Sequence, residues 1–120
     1  MTVFAAILLA ATSLQITVWP NGQGEAPKRA YTLRCAPLGG TLPQKRAACR
    51  SLAALKAPFA PTPKNIACTE IYGGPQEAVV TGRFRGRLVH ASFSRKNGCE
   101  LERWNRVGFL FPGTAASNSR

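Results

Sequence analysis

Alternating apolar and polar residues predict two strands near the start of the chain. Over residues 13–18, Leu14, Ile16 and Val18 share one face, which is the two-residue period of a half-buried β-strand. Residues 30–35 repeat the pattern, with Tyr31 and Leu33 on one face together with Cys35. Two such strands, joined by a polar loop of modest length, predict an antiparallel pair.

The apolar spacing changes to three and four residues after the Gly39-Gly40 break, and this spacing predicts a short amphipathic helix over residues 43–55. Thr41 and Gln44 have the spacing of a capping box, and Pro43 stands near the first helical position. The apolar positions that follow the helical spacing are Ala48, Cys49, Leu52 and Leu55.

The second half of the chain predicts a hairpin, a helix and a closing strand. Residues 77–84 and 87–93 read as two strands joined at an Arg85-Gly86 tip. Residues 98–104 predict a short helix that carries Cys99, and residues 107–111 predict the closing strand. The order of elements predicts an α+β sandwich, with helices on one face of an antiparallel sheet.

The chain has 120 residues, a length that predicts a single domain with short terminal segments. Residues 1–11 (MTVFAAILLAA) are apolar and small, like the later part of a secretory signal without its basic region. We interpret them as a signal whose start is assigned too far downstream; the alternative is a buried first strand. This run is too short to span a membrane, and no other apolar run is long enough. The domain is predicted over residues 12–112, and a polar tail over residues 113–120.

The four cysteines predict two disulfides. No two of them are close enough for a C-x-x-C pair, so zinc ribbons and redox motifs are not favoured. Three connectivities are open; the sequential one closes two separate loops and contributes roughly 3 to 4 kcal/mol per bridge in the chain-entropy model. Disulfides require an oxidising compartment, so we expect a secreted, extracellular protein. The four are Cys35, Cys49, Cys68 and Cys99.

The net charge of +11, from 16 Lys and Arg against five Glu, raises the question of an anionic partner. The basic residues are scattered without a long basic run, so a solvated basic surface is favoured and no specific nucleic-acid partner is predicted. Basic side chains alternate with Phe84 and Phe93 on the hairpin, a pattern found in single-strand binding. Core aromatics with arginines on the opposite strand face explain it better.

The sequence lacks the combinations of residues that enzyme active sites require. His90 is the only histidine, and the chain has no Asp that could orient it in a triad. The glycine pairs are turn residues rather than a phosphate cradle. No cofactor and no metal site is predicted. The five carboxylates form no obvious acid/base pair; they are Glu25, Glu70, Glu77, Glu100 and Glu102.

One stretch, Cys68-Thr69-Glu70-Ile71-Tyr72, stands between a Pro-rich segment and Gly73-Gly74-Pro75. Its β-branched and aromatic residues favour an extended backbone, and the flanking prolines and glycines keep it out of a helix. A disulfide at Cys68 would make it a stiff, exposed loop, suited to binding another protein because little entropy is left to lose. The alternative is a loop stapled for stability alone.

Residues 13–111 resemble the Streptomyces subtilisin inhibitor family of secreted serine-protease inhibitors. The resemblance rests on the first-cysteine segment, the helix, the reactive-site segment and the last-cysteine segment. These stretches are Thr32-Leu33-Arg34-Cys35-Ala36-Pro37 with Gly39-Gly40-Thr41, Ala47-Ala48-Cys49 with Leu52, Cys68-Thr69-Glu70-Ile71-Tyr72, and Phe93-Ser94 with Asn97-Gly98-Cys99-Glu100-Leu101.

The resemblance implies a five-stranded antiparallel sheet with two helices, disulfides Cys35–Cys49 and Cys68–Cys99, and a homodimer packed through the sheet. It places the reactive-site bond at Glu70–Ile71 and makes Asn97 a residue that braces the loop from behind. It also implies that the protease contacts the loop as an added strand, at Asn65, Ile66, Ala67, Cys68, Thr69 and Tyr72.

Two departures from the family pattern concern specificity and the end of the loop. Glu70 stands where members commonly carry Met, Lys or Arg, so the expected partner is a subtilisin-like protease with a broad pocket or one that cleaves after Glu. Gly73-Gly74 precede Pro75, where the family usually has Asp-Pro. The alternative function is a non-inhibitory basic extracellular module on the same scaffold that engages anionic polymers or surfaces, through Arg83, Arg85 and Arg87.

Overall fold

The computed structural model describes residues 12–114. The predicted signal over residues 1–11 and most of the predicted tail lie outside the described residues. The elements are β1 (Thr12–Trp19), β2 (Arg29–Cys35), α1 (Lys45–Ala53), β3 (Glu77–Phe84), β4 (Arg87–Ser94), α2 (Gly98–Arg106) and a 3₁₀ turn (Gly108–Leu110).

The strands form one antiparallel sheet in the order β2-β1-β3-β4. In the register of the central strand, Leu14 is paired with Leu33 of β2 and with Gly82 of β3. Because side chains alternate along every strand, this register places the buried apolar residues of all four strands on the same face. The four strands predicted from alternation, and the pairing of the first two, are confirmed.

Both helices cover that apolar face. Ala48 and Leu52 of α1 and Trp104 of α2 are buried in the same cluster as Ile16 and Val80 of the sheet. The predicted α+β architecture, with helices on one face, is therefore confirmed. The opposite face, here called the outer face, carries the alternate residues of each strand and no helix in the described chain. No helix within residues 12–114 is long and apolar enough to cross a membrane.

The predicted closing strand over residues 107–111 is wrong, because this segment forms the Gly108–Leu110 3₁₀ turn. Val107, Leu110 and Phe111 are buried, and their spacing of three and four residues fits a helical turn rather than a two-residue alternation. The Phe111 ring packs on Trp104, with 4.6 Å between ring centroids. Four strands are present among the described residues, so a five-stranded sheet is not confirmed.

The predicted capping box is also wrong. The Thr41 hydroxyl accepts the backbone N–H of Thr32 at 3.0 Å, and the Thr32 hydroxyl accepts that of Thr41 at 3.1 Å. Thr41 therefore fastens the chain to β2 instead of capping the helix. Gln44 adopts a left-handed conformation (φ 59°) without a side-chain cap, and α1 begins only at Lys45.

The Arg85-Gly86 hairpin tip is confirmed. Both residues have positive φ values, 52° and 84°, as in the two-residue turns that match strand twist. The Arg85 guanidinium donates to the carbonyls of Leu52 and Ala53 at 3.4 and 3.0 Å. Because the last carbonyls of a helix lack intrahelical donors, this contact ties the end of α1 to the hairpin.

Candidate functional site

A long connection without regular secondary structure, residues 54–76, joins α1 to β3. It contains most of the large apolar side chains that are exposed in the described chain: Ile66 is 53%, Ile71 59% and Tyr72 67% exposed. Neighbouring exposed apolar side chains mark a surface that another molecule covers. We call residues 65–72 the binding loop; all of them are exposed except half-buried Cys68.

The N-terminal side of the binding loop is held by a covalent bond and a hydrogen bond. Cys68 forms a disulfide with Cys99, with the two Cα atoms 5.3 Å apart. The backbone N–H of Gly98 donates to the Thr69 carbonyl at 2.8 Å. Thr69 is thus fixed immediately before Glu70. The second disulfide joins Cys35 to Cys49, so both bridges follow the pairing that the family resemblance implies.

The C-terminal side is held by hydrogen bonds alone. The Gly73 N–H donates to the Arg95 carbonyl at 2.6 Å, and the Arg95 guanidinium Nε donates back to the Gly73 carbonyl at 3.0 Å. Arg95 also lies over the Trp104 ring, 5.8 Å from its centroid, so its side chain is packed as well as bonded. Gly73 is thereby fixed two residues after Ile71.

The peptide bond between Glu70 and Ile71 therefore lies between two anchors, Thr69 and Gly73. Both anchors are held by one short segment, residues 95–99, which comprises the connection from β4 to α2 and the first two residues of α2. Glu70 and Ile71 themselves are exposed. This arrangement presents the exposed residues 70–72 outward while fixing the chain on each side of them.

Glycine allows a close approach at both contacts with the binding loop. A Cβ atom on Gly73 would overlap the Leu101 side chain, and one on Gly98 would overlap the Thr69 side chain. The departure from the family pattern after Tyr72 thus has a structural consequence. The backbone of Gly73 lies against Leu101 of α2 and exchanges two hydrogen bonds with Arg95, which precedes α2.

The segment that leads into the binding loop is fastened by Arg103, which is only 8% exposed. Its guanidinium donates to the carbonyls of Ala60 and Ser92 and to the Glu100 carboxylate, each at 2.9 Å. The same carboxylate accepts the Thr62 hydroxyl at 3.1 Å. A buried ion pair supported by hydrogen bonds on both partners thus joins α2, β4 and the Pro-rich segment.

Asn97 caps α2. Its side-chain oxygen accepts the backbone N–H of Glu100 at 3.0 Å. The hydrogen bonds from this segment to the binding loop come from its neighbours, the Gly98 N–H and Arg95. Bracing of the loop by Asn97 itself remains a prediction. Sequence reasoning did not identify Arg95 or Arg103; an arginine gives no sequence signal of the backbone carbonyls it will reach.

The other candidate residues lie apart from the binding loop. His90 is exposed on the outer face, paired across the sheet with Thr81. Phe84 and Phe93 are packed against Phe59, with centroids 5.3 and 6.5 Å away, so the interpretation of the hairpin aromatics as core residues is confirmed. Within residues 12–114 no group of three His, Cys, Asp or Glu side chains is placed to hold a metal ion.

Comparison with known proteins gives a consistent result. A family model described as subtilisin inhibitor-like matches residues 10–97. Subtilisin inhibitor-like protein 1 of Streptomyces cacaoi is 32% identical over 110 residues, which cover 87% of this chain and 99% of the relative. The subtilisin inhibitor of Streptomyces violaceus is 36% identical over 104 residues, covering 79% of this chain and 68% of the relative.

A solved structure shares the fold. Sermetstatin of Streptomyces caespitosus, crystallised in complex with subtilisin of Bacillus licheniformis, is 28% identical to this chain. The match has a TM-score of 0.52 and covers 83% of this chain and 96% of sermetstatin. The resemblance drawn from the cysteine, helix and loop segments is thus confirmed. The chain belongs to the subtilisin inhibitor-like family, a family of protease inhibitors rather than enzymes.

Proposed function

We propose that the chain inhibits serine proteases by presenting the binding loop as a substrate, with Glu70–Ile71 as the reactive-site bond. The observation that carries the proposal is the pair of anchors at Thr69 and Gly73, both held by residues 95–99. The family membership and the subtilisin complex of sermetstatin support the same class of partner.

The anchors explain how a substrate-like loop can inhibit. Attack of a protease serine on the Glu70 carbonyl would release the amine of Ile71 as leaving group. Ile71 is two residues from Gly73, which two hydrogen bonds hold to Arg95, so the amine would stay near the acyl group. Religation then competes with hydrolysis, because two groups held in place react as if at very high concentration. The ordering of the loop before binding also lowers the entropy lost on association.

Glu70 would enter the primary specificity pocket of the protease. A carboxylate is unfavourable in an apolar pocket, and more so beside another carboxylate. A protease whose pocket carries a basic or polar group and that cleaves after Glu is therefore the preferred partner. Subtilisin-like enzymes with broad pockets are expected to bind more weakly. Ile66, Ile71 and Tyr72 would supply the apolar contacts around the charged side chain.

The remaining loop residues would pair with the enzyme backbone. Residues 65–69 lie outside any strand of this protein, so their backbone groups, apart from the Thr69 carbonyl that accepts the Gly98 N–H, would extend a strand of the protease. We further propose that Asn97 supports the binding loop in the complex with the protease, in addition to capping α2.

We also propose that the protein is secreted and forms a homodimer through the outer face. Two disulfides are typical of an oxidising compartment. Leu88 is 78% exposed on the outer face, and burying a side chain of this size is favourable by roughly 2 kcal/mol. Replacing Leu88 with Glu should give a monomer in light scattering; an unchanged mass would exclude this face.

Titration of proteases with the purified protein tests the proposed inhibition. The panel would contain a subtilisin, a trypsin-like enzyme and a Glu-specific endopeptidase, and the control would be the Glu70→Ala variant. We expect stoichiometric inhibition of the Glu-specific enzyme or the subtilisin, and Glu70→Ala should weaken the former at least tenfold while leaving the melting temperature unchanged. If all three enzymes remain active and the protein is cut at Glu70–Ile71, the loop is a substrate and the proposal is wrong.

A further inference from the structure

Charge is distributed unevenly between the two ends of the sheet. The carboxylates lie at the end that carries the binding loop or on elements that begin there: Glu77 is paired with Trp19 at the far end of β1, and Glu100 and Glu102 are in α2. The other end, around the Arg85-Gly86 turn, carries no carboxylate in the described chain. Its basic residues, here called the tip cluster, are Arg34, Arg46, Arg50, Lys56, Arg83, Arg85 and Arg87.

The tip cluster surrounds its end of the molecule on several sides. On the outer face, Arg34 and Arg83 stand on either side of Ser13, since both are paired with it across the sheet; the proposed homodimer would cover this face, so the other members of the cluster carry the binding. Arg46 and Arg50 are exposed on α1, which covers the opposite face. The eight residues of β3, at about 3.3 Å each, separate the hairpin turn from the end of the sheet next to the binding loop by ~25 Å.

The charges of the tip cluster have no counterion within the described residues 12–114. The ion pairs formed within residues 12–114 are Arg103–Glu100 and Arg106–Glu102, and both lie on α2. Arg85 contacts the end of α1, and Arg83 donates to the Gly86 carbonyl at 3.0 Å, but neither contact neutralises the guanidinium. Like charges gathered at one end repel each other, so an anionic partner that neutralises them gains the relief of that repulsion.

We propose that the tip cluster binds a flexible linear phosphate polymer, at the same time as the binding loop stays available to a protease. Arginine forks match phosphate oxygens, and most of the cluster is arginine. Because Arg46 and Arg50 lie on α1 and Arg87 lies past the turn on β4, a flexible chain can follow them, whereas duplex DNA, stiff over about 50 nm, or a flat bilayer would reach one side only. Phe84 is packed against Phe59 and offers no platform for stacking bases.

This inference requires only the fold and does not depend on protease inhibition. Its test is binding of sodium polyphosphate of defined length, measured by calorimetry at several salt concentrations. The logarithm of the affinity should fall with the logarithm of salt by about 0.7 per phosphate contacted, as for single strands. The triple variant Arg46→Gln, Arg50→Gln and Arg87→Gln should therefore bind at least tenfold more weakly at low salt, with a slope shallower by about 2.

A matched variant removes the same charge at the other end. Lys28, Arg29 and Lys96 are exposed near the binding-loop end, and replacing all three with Gln should leave polyphosphate affinity within about threefold of the parent. Equal loss in both triple variants would show that net charge alone attracts the polymer and would overturn the proposal. So would the absence of polyphosphate binding, or tighter binding per phosphate to duplex DNA or phosphatidylglycerol vesicles.

Discussion

The two sides of the Glu70–Ile71 bond are held by different chemistry. Before the bond, the Cys68–Cys99 disulfide and the Thr69–Gly98 hydrogen bond fix the chain. After it, Gly73 is held by two hydrogen bonds to Arg95 and by close packing on Leu101. A covalent anchor resists any force that the protease applies, whereas a hydrogen-bonded anchor depends on the exact fit of its partners. The comparison predicts that the leaving-group side is the more easily loosened by small substitutions.

Breaking the covalent anchor should have the largest effect. In the chain-entropy model the Cys68–Cys99 bridge, with a sequence separation of 31, contributes about 3.7 kcal/mol. The Cys35–Cys49 bridge, with a separation of 14, contributes about 3.0 kcal/mol. Replacing Cys68 and Cys99 with Ala should lower the stability by roughly that amount and turn the inhibitor into a cleaved substrate.

The control for the covalent anchor is the Cys35→Ala, Cys49→Ala variant. It loses nearly as much stability, but its bridge joins β2 to α1 and does not touch the binding loop. Denaturant unfolding and protease titration should therefore separate the two variants: similar midpoints of unfolding, but inhibition retained only where Cys68–Cys99 is intact. Equal inhibition by both variants would show that the disulfide does not anchor the loop for inhibition.

Substituting Gly73 should loosen the other side by steric overlap. A methyl group there would displace the Leu101 side chain, and overpacking of this kind costs roughly 1 to 3 kcal/mol. We expect Gly73→Ala to weaken inhibition by one to two orders of magnitude, since about 1.4 kcal/mol is tenfold. Gly108→Ala is the control, because a Cβ there meets no atom within 4 Å. If both variants inhibit like the parent, close packing at Gly73 does not matter.

Local pattern predicted most of the fold, because the strands and helices follow the periods of their apolar residues. The closing strand failed where the turn at Gly108–Leu110 packs Phe111 onto Trp104, a tertiary contact that no local period reveals. The capping-box prediction failed for the same reason. The Thr41 hydroxyl accepts a hydrogen bond from the backbone of Thr32 in β2 instead of from the first turn of the helix. The exposure of Glu70 and Ile71 was predictable, because the prolines before them and the glycines after them keep this stretch out of a helix.

The anchors of the binding loop were only partly predictable. A cysteine carries a sequence signal, because its side chain has few other uses in a chain of this kind. Arg95 and Arg103 carry none, because they act on backbone carbonyls that are distant in sequence, Gly73 and Ala60. The glycine after Tyr72 was visible as a departure from the family pattern, but its role depends on the position of α2.

Removing the Arg95 side chain should produce the smallest and most specific effect. Arg95→Ala keeps the backbone bond from Gly73 to the Arg95 carbonyl but removes the Nε bond and the packing over Trp104. A hydrogen bond of this kind contributes about 1 kcal/mol, so the ratio of cleaved to intact protein at equilibrium with catalytic protease should rise about fivefold.

The control is Lys96→Ala, because Lys96 is exposed and adjacent to Arg95. Because the variant retains the disulfide and the core, its thermal stability should change little, and that difference separates loop anchoring from folding. An unchanged ratio in Arg95→Ala would mean that the backbone contact alone holds the leaving-group side.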